Sequence, residues 1–331
     1  MGKHRSTGLA VALAAAAATL AGIATLAPGT AAAQAWPSKP VRIVVPASAG
    51  GATDVVARIL SPRLGDILGQ QFIVENKAGA GGVIGAQQVA QAAPDGNTLL
   101  MSFDTFTING FLFKAVPDPL RDFAPVMQVC RFPQVLLAHP SLGVKSVKEF
   151  VALAKARGAQ LNFGSAGPAS SSRLAYELFK DTAGIETVPV HYKGGGPAIQ
   201  DLIAGQVQVM LVQGSGTIQQ SVKAGKLVAL AVSTAQPSPL QPGLPTIAET
   251  YPGFESQSWV GLVATGGTPR PVVDRLNATI AKIVAEPGMK DKFEQQGAEI
   301  VAGSPEALTT LMRAEQLKWG RIIREKKISV D

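Results

Sequence analysis

Four loops hold the residues whose types and spacing suit chemistry on a small molecule. The first is Pro46-Ala47-Ser48-Ala49-Gly50-Gly51-Ala52-Thr53-Asp54, which joins an apolar run to a stretch of helical spacing. Backbone N–H groups and the positive end of a helix dipole converge at such a junction and suit a carboxylate or phosphate. Glycines let the backbone approach the anion closely. Asp54 would repel an anion and is read as stabilising the helix start. On this loop alone an anion site and a plain turn are equally compatible.

The second loop, Gly164-Ser165-Ala166-Gly167-Pro168-Ala169-Ser170-Ser171-Ser172, repeats the arrangement with hydroxyls added. Ser170 or Ser171 alone reads first as a helix N-cap, worth ~1 kcal/mol. The third, Tyr192-Lys193-Gly194-Gly195-Gly196-Pro197, opens a helix at its proline, with Lys193 read as facing solvent. The fourth, Gln213-Gly214-Ser215-Gly216, offers an amide and a hydroxyl. Two neutral cradles point to a ligand with two anionic ends, or to one end gripped from both sides.

Other chemistries find little support. The single cysteine, Cys130, excludes an internal disulfide framework and a four-cysteine zinc site. His4, His139 and His191 lack metal-ligand spacing, so no metal is expected. Gly79-Ala80-Gly81-Gly82-Val83-Ile84-Gly85 imitates a dinucleotide fingerprint, but its third glycine comes one residue late. No acidic residue stands at the right distance after it, and no cofactor is expected. There is no nucleophile elbow or Walker A loop, so no catalytic residue is assigned. The basic cluster Arg321, Arg324, Lys326 and Lys327 reads as a solvated helix end, not a nucleic-acid surface.

These loops need a scaffold, and the composition supplies one. The 331 residues are 46% hydrophobic and 16% charged with a net charge of +7, which excludes a disordered chain and gives length for two packed units. Lys3, His4 and Arg5, then an Ala/Leu-rich run from Leu9, then Ala31-Ala32-Ala33-Gln34-Ala35 form an export signal over residues 1–35, cleaved after Ala33 or Ala35. The mature protein is therefore expected to be secreted or periplasmic. Beyond it, strand, glycine turn and helix alternate, which implies α/β units with mainly parallel sheets. Val41–Pro46, Gln71–Glu75 and Asn97–Phe103 read as strands of a first unit, with helices over Asp54–Leu68 and Val83–Ala92. A second unit follows Pro140. The four prolines of residues 235–245 mark an exit, after which one strand (Trp259–Ala264) and helices up to Pro305–Glu325 complete the first unit. Two crossings of this kind create a hinge with a cleft.

The sequence resembles the extracytoplasmic receptors of tripartite tricarboxylate transporters, often called Bug-type proteins. The resemblance spans residues 36–331. It rests on the P-x-x-x-G-G-x-x-D-x-x-A-R stretch from Pro46 to Arg58, on Glu75-Asn76-Lys77-Ala78-Gly79-Ala80-Gly81-Gly82, and on Pro94-Asp95-Gly96. Tyr192-Lys193-Gly194, Pro245-Thr246-Ile247-Ala248-Glu249, and Trp259 with Gly261 match as well. It implies a two-lobed periplasmic-binding-protein fold of type II kind, closing over a small carboxylate. The lobes are expected at 36–133 with 236–331, and at 134–235. The implied ligand contacts are Ser48, Ala49, Gly50, Gly51 and Thr53, then Ser165, Ala166, Gly167, Ser170 and Ser171. Thr105, Tyr192 and Gln213 join them as candidates.

Arg173 stands where the family commonly has a histidine, and Gln213 where an acidic residue is common. Without a carboxylate at Gln213, simple carboxylates are expected to bind better than amino acids; Asp104 follows a strand with no direction assigned. The implied partners are the membrane subunits of a transporter, and the chain is expected to be a monomer. A ligand-presenting co-receptor for a membrane sensor is the alternative, and an enzyme acting on a carboxylate the weaker one.

Overall fold

Among the described residues, apolar runs bounded by glycine and proline form ten strands, and the stretches between them wind into helices. The computed structural model describes residues 36–168, 170–214 and 216–329. The export-signal reading over residues 1–35 lies outside these.

The chain runs β1 (Val41–Val45), α1 (Ala52–Leu68), β2 (Phe72–Asn76), α2 (Val83–Ala90), β3 (Thr98–Phe103), α3 (Asn109–Leu112) and β4 (Phe123–Ala138). It continues as α4 (Val147–Arg157), β5 (Asn162–Ser165), α5 (Ser171–Ala183), β6 (Val188–His191), α6 (Gly195–Ile203), β7 (Val209–Gln213), α7 (Gly216–Lys223) and β8 (Val228–Val232). It returns through β9 (Gln257–Thr265), α8 (Arg270–Val284), α9 (Met289–Glu294), β10 (Glu299–Ile300) and α10 (Pro305–Glu325).

The strand order is β2-β1-β3-β9-β4-β7-β5-β6, with β8 and β10 also on β4. β1 pairs in parallel with β2 and β3, and β5 with β6 and β7, as the alternation implies. β4 and β9 run antiparallel to their neighbours, so each sheet is mixed rather than mainly parallel. The reason is connectivity. β9 re-enters the first sheet from the second, with no crossover helix to restore its direction.

β4 belongs to both sheets. Its residues 123–133 pair with β9, and 134–138 pair with β7. Pro133 and Gln134 mark the change. The returning chain crosses at the same level: Ser233 N–H donates to Gln134 O at 2.9 Å, Ser256 N–H to Ser233 O at 2.9 Å, and Ser256 Oγ to Gln134 Oε1 at 3.0 Å.

Each side has its own core. Val44, Leu100, Phe106, Trp259 and Val263 pack on Leu308 and Met312 of α10. Phe163 stacks on Tyr176 at 4.2 Å in the other core, joined by Phe150, Phe179, Ile247 and Phe254. A third cluster spans both, joining Ile108 and Leu174 to Trp319, Ile322 and Ile323 of α10. The Lys326 ammonium pairs with Asp181 beside it.

Candidate functional site

Pro46 and Gly51 bracket the loop that starts α1. Gly51 is the N-cap residue and has no side chain to cap with, so the first-turn N–H groups of Ala52 and Thr53 lack helical partners. Gly50 adopts φ +81°. Its N–H donates to Asp54 Oδ2 at 2.9 Å, the same oxygen that accepts from Arg58 Nε at 2.9 Å. Asn76 donates to Asp54 Oδ1 at 2.9 Å and to Ala47 O at 3.1 Å. Burial works to raise the Asp54 pKa, but the bonds from Arg58, Gly50 and Asn76 outweigh it and hold the carboxyl below its ordinary value. Asp54 therefore shapes the loop. The glycine run after β2 has a packing role: a Cβ on Gly85 would meet that of Pro46 at 2.9 Å.

The second loop is pinned the same way. Ser170 caps α5, accepting from Arg173 N–H at 3.3 Å and donating to Gly167 O at 2.8 Å. Ser172 accepts from Ala166 N–H at 2.9 Å. Ser165 is fully buried, and its hydroxyl lies 2.7 Å from His191 Nδ1.

These loops meet across a cleft of about 270 Å³. The first loop contributes Ala47, Ala52 and Thr53, the turn after β3 contributes Asp104 and Thr105, and α5 contributes Ser170 and Ser171. Gln213 lines it from β7, Phe132 from β4, and Ser258, Trp259 and Val260 from β9. Among the described residues no lysine or arginine lines it. A larger open hollow of about 740 Å³ lies beside Pro40, Gly65 and Phe72. It sits at the amino ends of β1 and β2, whereas ligands of open α/β sheets bind outside the carboxyl ends. The cleft is the better site.

Of the residues singled out in the sequence, Thr53, Thr105, Ser170, Ser171 and Gln213 line the cleft together. Ser48, Ala49, Gly50 and Gly51 are exposed on the loop above and are not among its lining. Ser165, Ala166 and Gly167 lie behind the wall, spent on holding the loop. Tyr192 is turned away, its hydroxyl donating to Asp201 at 2.7 Å. The sequence reading missed Phe132, Ser258 and Val260; the alternation along β9 that places Ser258 only acquires a direction once β9 is known to pair with β4. Asp104 was seen without its direction.

Two lobes sharing one strand, with a cleft between them that no cationic side chain lines among the described residues, have the α/β form of the periplasmic binding proteins. The chain belongs to the family described as "Tripartite tricarboxylate transporter family receptor", whose sequence model matches residues 56–328. BugT of Bordetella pertussis is 34% identical over 297 residues, covering 88% of this chain and 91% of BugT. A solved structure of R. palustris Rpa4515 with adipate superposes with a TM-score of 0.75 at 34% identity, covering 87% of this chain and 97% of the other. The periplasmic binding protein BugD gives 0.73 at 34% identity over 88% and 99%. MatC from Rhodopseudomonas palustris with bound malate gives 0.71 at 32% identity over 87% and 100%. Among the described residues no helix is long and apolar enough to cross a membrane.

Proposed function

We propose that this receptor captures a small organic carboxylate by lobe closure and delivers it to the membrane subunits of a tripartite transporter. One observation carries the reading: the N-termini of α1 and α5 line one cleft that holds no cationic side chain. Uncompensated first-turn N–H groups and the positive ends of two helix dipoles attract an anion without a salt bridge. The volume of about 270 Å³ falls just below the range of typical small-molecule sites, about 300 to 1,000 Å³, and suits a small ligand. Adipate in Rpa4515 and malate in MatC are of matching class. On this reading the lobes are 36–133 with 236–331 and 134–235, hinged where β4 and the returning chain cross. The protein is exported to the periplasm by residues 1–35, acts as a monomer, and needs neither cofactor nor nucleic acid.

A thermal-shift screen of carboxylates tests it. A ligand at about 100 times its Kd stabilises the fold by ~2.7 kcal/mol. The expected result is a rise in melting temperature for a short-chain or ring carboxylate but not for its amide. If no carboxylate stabilises the protein, the proposal fails.

A further inference from the structure

Asp104 begins the 3₁₀ turn after β3, and its side chain is only 8% exposed. It lines the cleft and also a small void of about 10 Å³ beneath it, between Ser171, Gln257 and Trp319. One carboxylate oxygen, Oδ1, accepts from Thr105 N–H at 2.8 Å. Among the described residues the other, Oδ2, makes no well-formed hydrogen bond, and neither does the Thr105 hydroxyl. Ser258 and Ser171 stand near enough to favour its charged form without closing a well-formed bond to Oδ2, and Ser258 Oγ donates to Ser171 Oγ at 3.0 Å. From α10 the charged group acting on Asp104 is Glu315, a second acid, itself paired with Lys318 at 2.7 Å. Burial, abetted by Glu315 and restrained by Ser258, the Thr105 N–H and Ser171, pushes the Asp104 pKa up to about 6. At pH 7.5 the group is ionised, and no cation lines the cleft to meet it.

An unpaired buried carboxylate is costly, and its cost falls when a cation is brought to it. The cleft therefore has two unlike ends: N–H donors at the starts of α1 and α5, and acceptors at Asp104 and Thr105. Asp torsions about the terminal bond are soft, so either oxygen can turn toward the cleft. We propose that Asp104 is the specificity-determining residue of this cleft, accepting a hydrogen bond from the ammonium group of an amino-bearing carboxylate whose carboxylate end rests on the two helix starts. The inference deepens the carboxylate reading and rests on it. A dicarboxylate without an amino group sets a second negative charge against Asp104; an amino acid sets a positive one. This departs from the expectation drawn from Gln213 alone.

Calorimetric titration at pH 7.5 with matched pairs tests it: succinate and aspartate, glutarate and glutamate, propanoate and alanine. In the wild-type protein the amino-bearing member of a pair that binds is expected to be about tenfold tighter or better. Asp104→Asn, which keeps an acceptor for Thr105 N–H, should erase that preference while holding or improving the amino-free member. A wild-type preference for the amino-free member, or an unchanged ratio in a folded Asn variant, overturns the inference and leaves carboxylate binding standing. If no member of any pair binds, the cleft reading and this inference fall together. The wild-type ratio needs no variant, so a folding defect in the Asn protein cannot obscure the answer.

Discussion

Ser258 of β9 donates a 3.0 Å hydrogen bond to Ser171 at the start of α5, joining an element of the first sheet to a helix of the second. The two residues lie 87 positions apart in sequence, and the bond ties the two sides of the cleft together. A hydrogen bond of this kind is worth about 1 kcal/mol. If closure holds the ligand, Ser258→Ala should weaken ligand affinity about fivefold, mostly through faster release. Stopped-flow displacement measures this, and an unchanged release rate would count against closure across this bond.

Gly50 supplies the second prediction. Its Cβ position is open, so a substitution there meets no clash and the cost is backbone strain at φ +81°. Gly50→Val should lose ~1–2 kcal/mol of stability and at least about tenfold in affinity, because the Asp54-anchored loop must shift. Lys193 is exposed and does not line the cleft, so Lys193→Ala should leave affinity within about twofold. The reverse order of effects would mean that charge, not loop geometry, holds the anion.

Asp104 makes stability depend on pH with a definite sign. Its pKa is raised from 3.8 to about 6 on folding, so the folded state holds the proton more tightly. The stabilisation is complete below about pH 4 and is lost as pH rises through 6. A shift of roughly two units corresponds to about 3 kcal/mol. Asp104→Asn should therefore be the more stable protein at pH 7.5 by that order, with the gap closing near pH 4. Urea denaturation at both pH values measures it. Parallel pH profiles would show that Asp104 is compensated.

Cys130 is fully buried in β4, and burial raises its thiol pKa well above the ordinary value. A thiol reagent such as Ellman's compound should leave the native protein unlabelled for hours and react at once in denaturant. Rapid labelling of the native protein would reveal opening of the first sheet.

Local signals made much of this legible. The β1–loop–α1 unit, the capping role of Ser170 and the limits of α10 follow from periodicity and cap residues that act within a few positions. β4 left no such trace. Pro125 and Pro133 break the pattern expected of a central strand, yet the ladder absorbs both, Pro125 at a register shift and Pro133 where the strand leaves one sheet for the other. Side-chain direction was the other blind spot. Ser165 and Tyr192 sit in the loops that sequence favours, but His191 and Asp201 draw their hydroxyls away from the cleft. Asp104 showed only that it follows a strand, and the rotation of a 3₁₀ turn is set by what packs around it.

The single strand shared by both sheets also has a metrical consequence. A strand does not stretch, and the two crossings are stitched side by side at Gln134, Ser233 and Ser256. Any closing movement would therefore be a swing or twist about that seam and not a separation along it. Under the proposed closure the floor of the cleft would keep a constant depth and the walls would close as a wedge. Such a wedge works as a gauge: it sorts molecules by how far they stand up from the floor, since one that is too tall props the jaws open whatever groups it carries. If the lobes close as proposed, that seam selects by length, separately from any choice of charge made at Asp104.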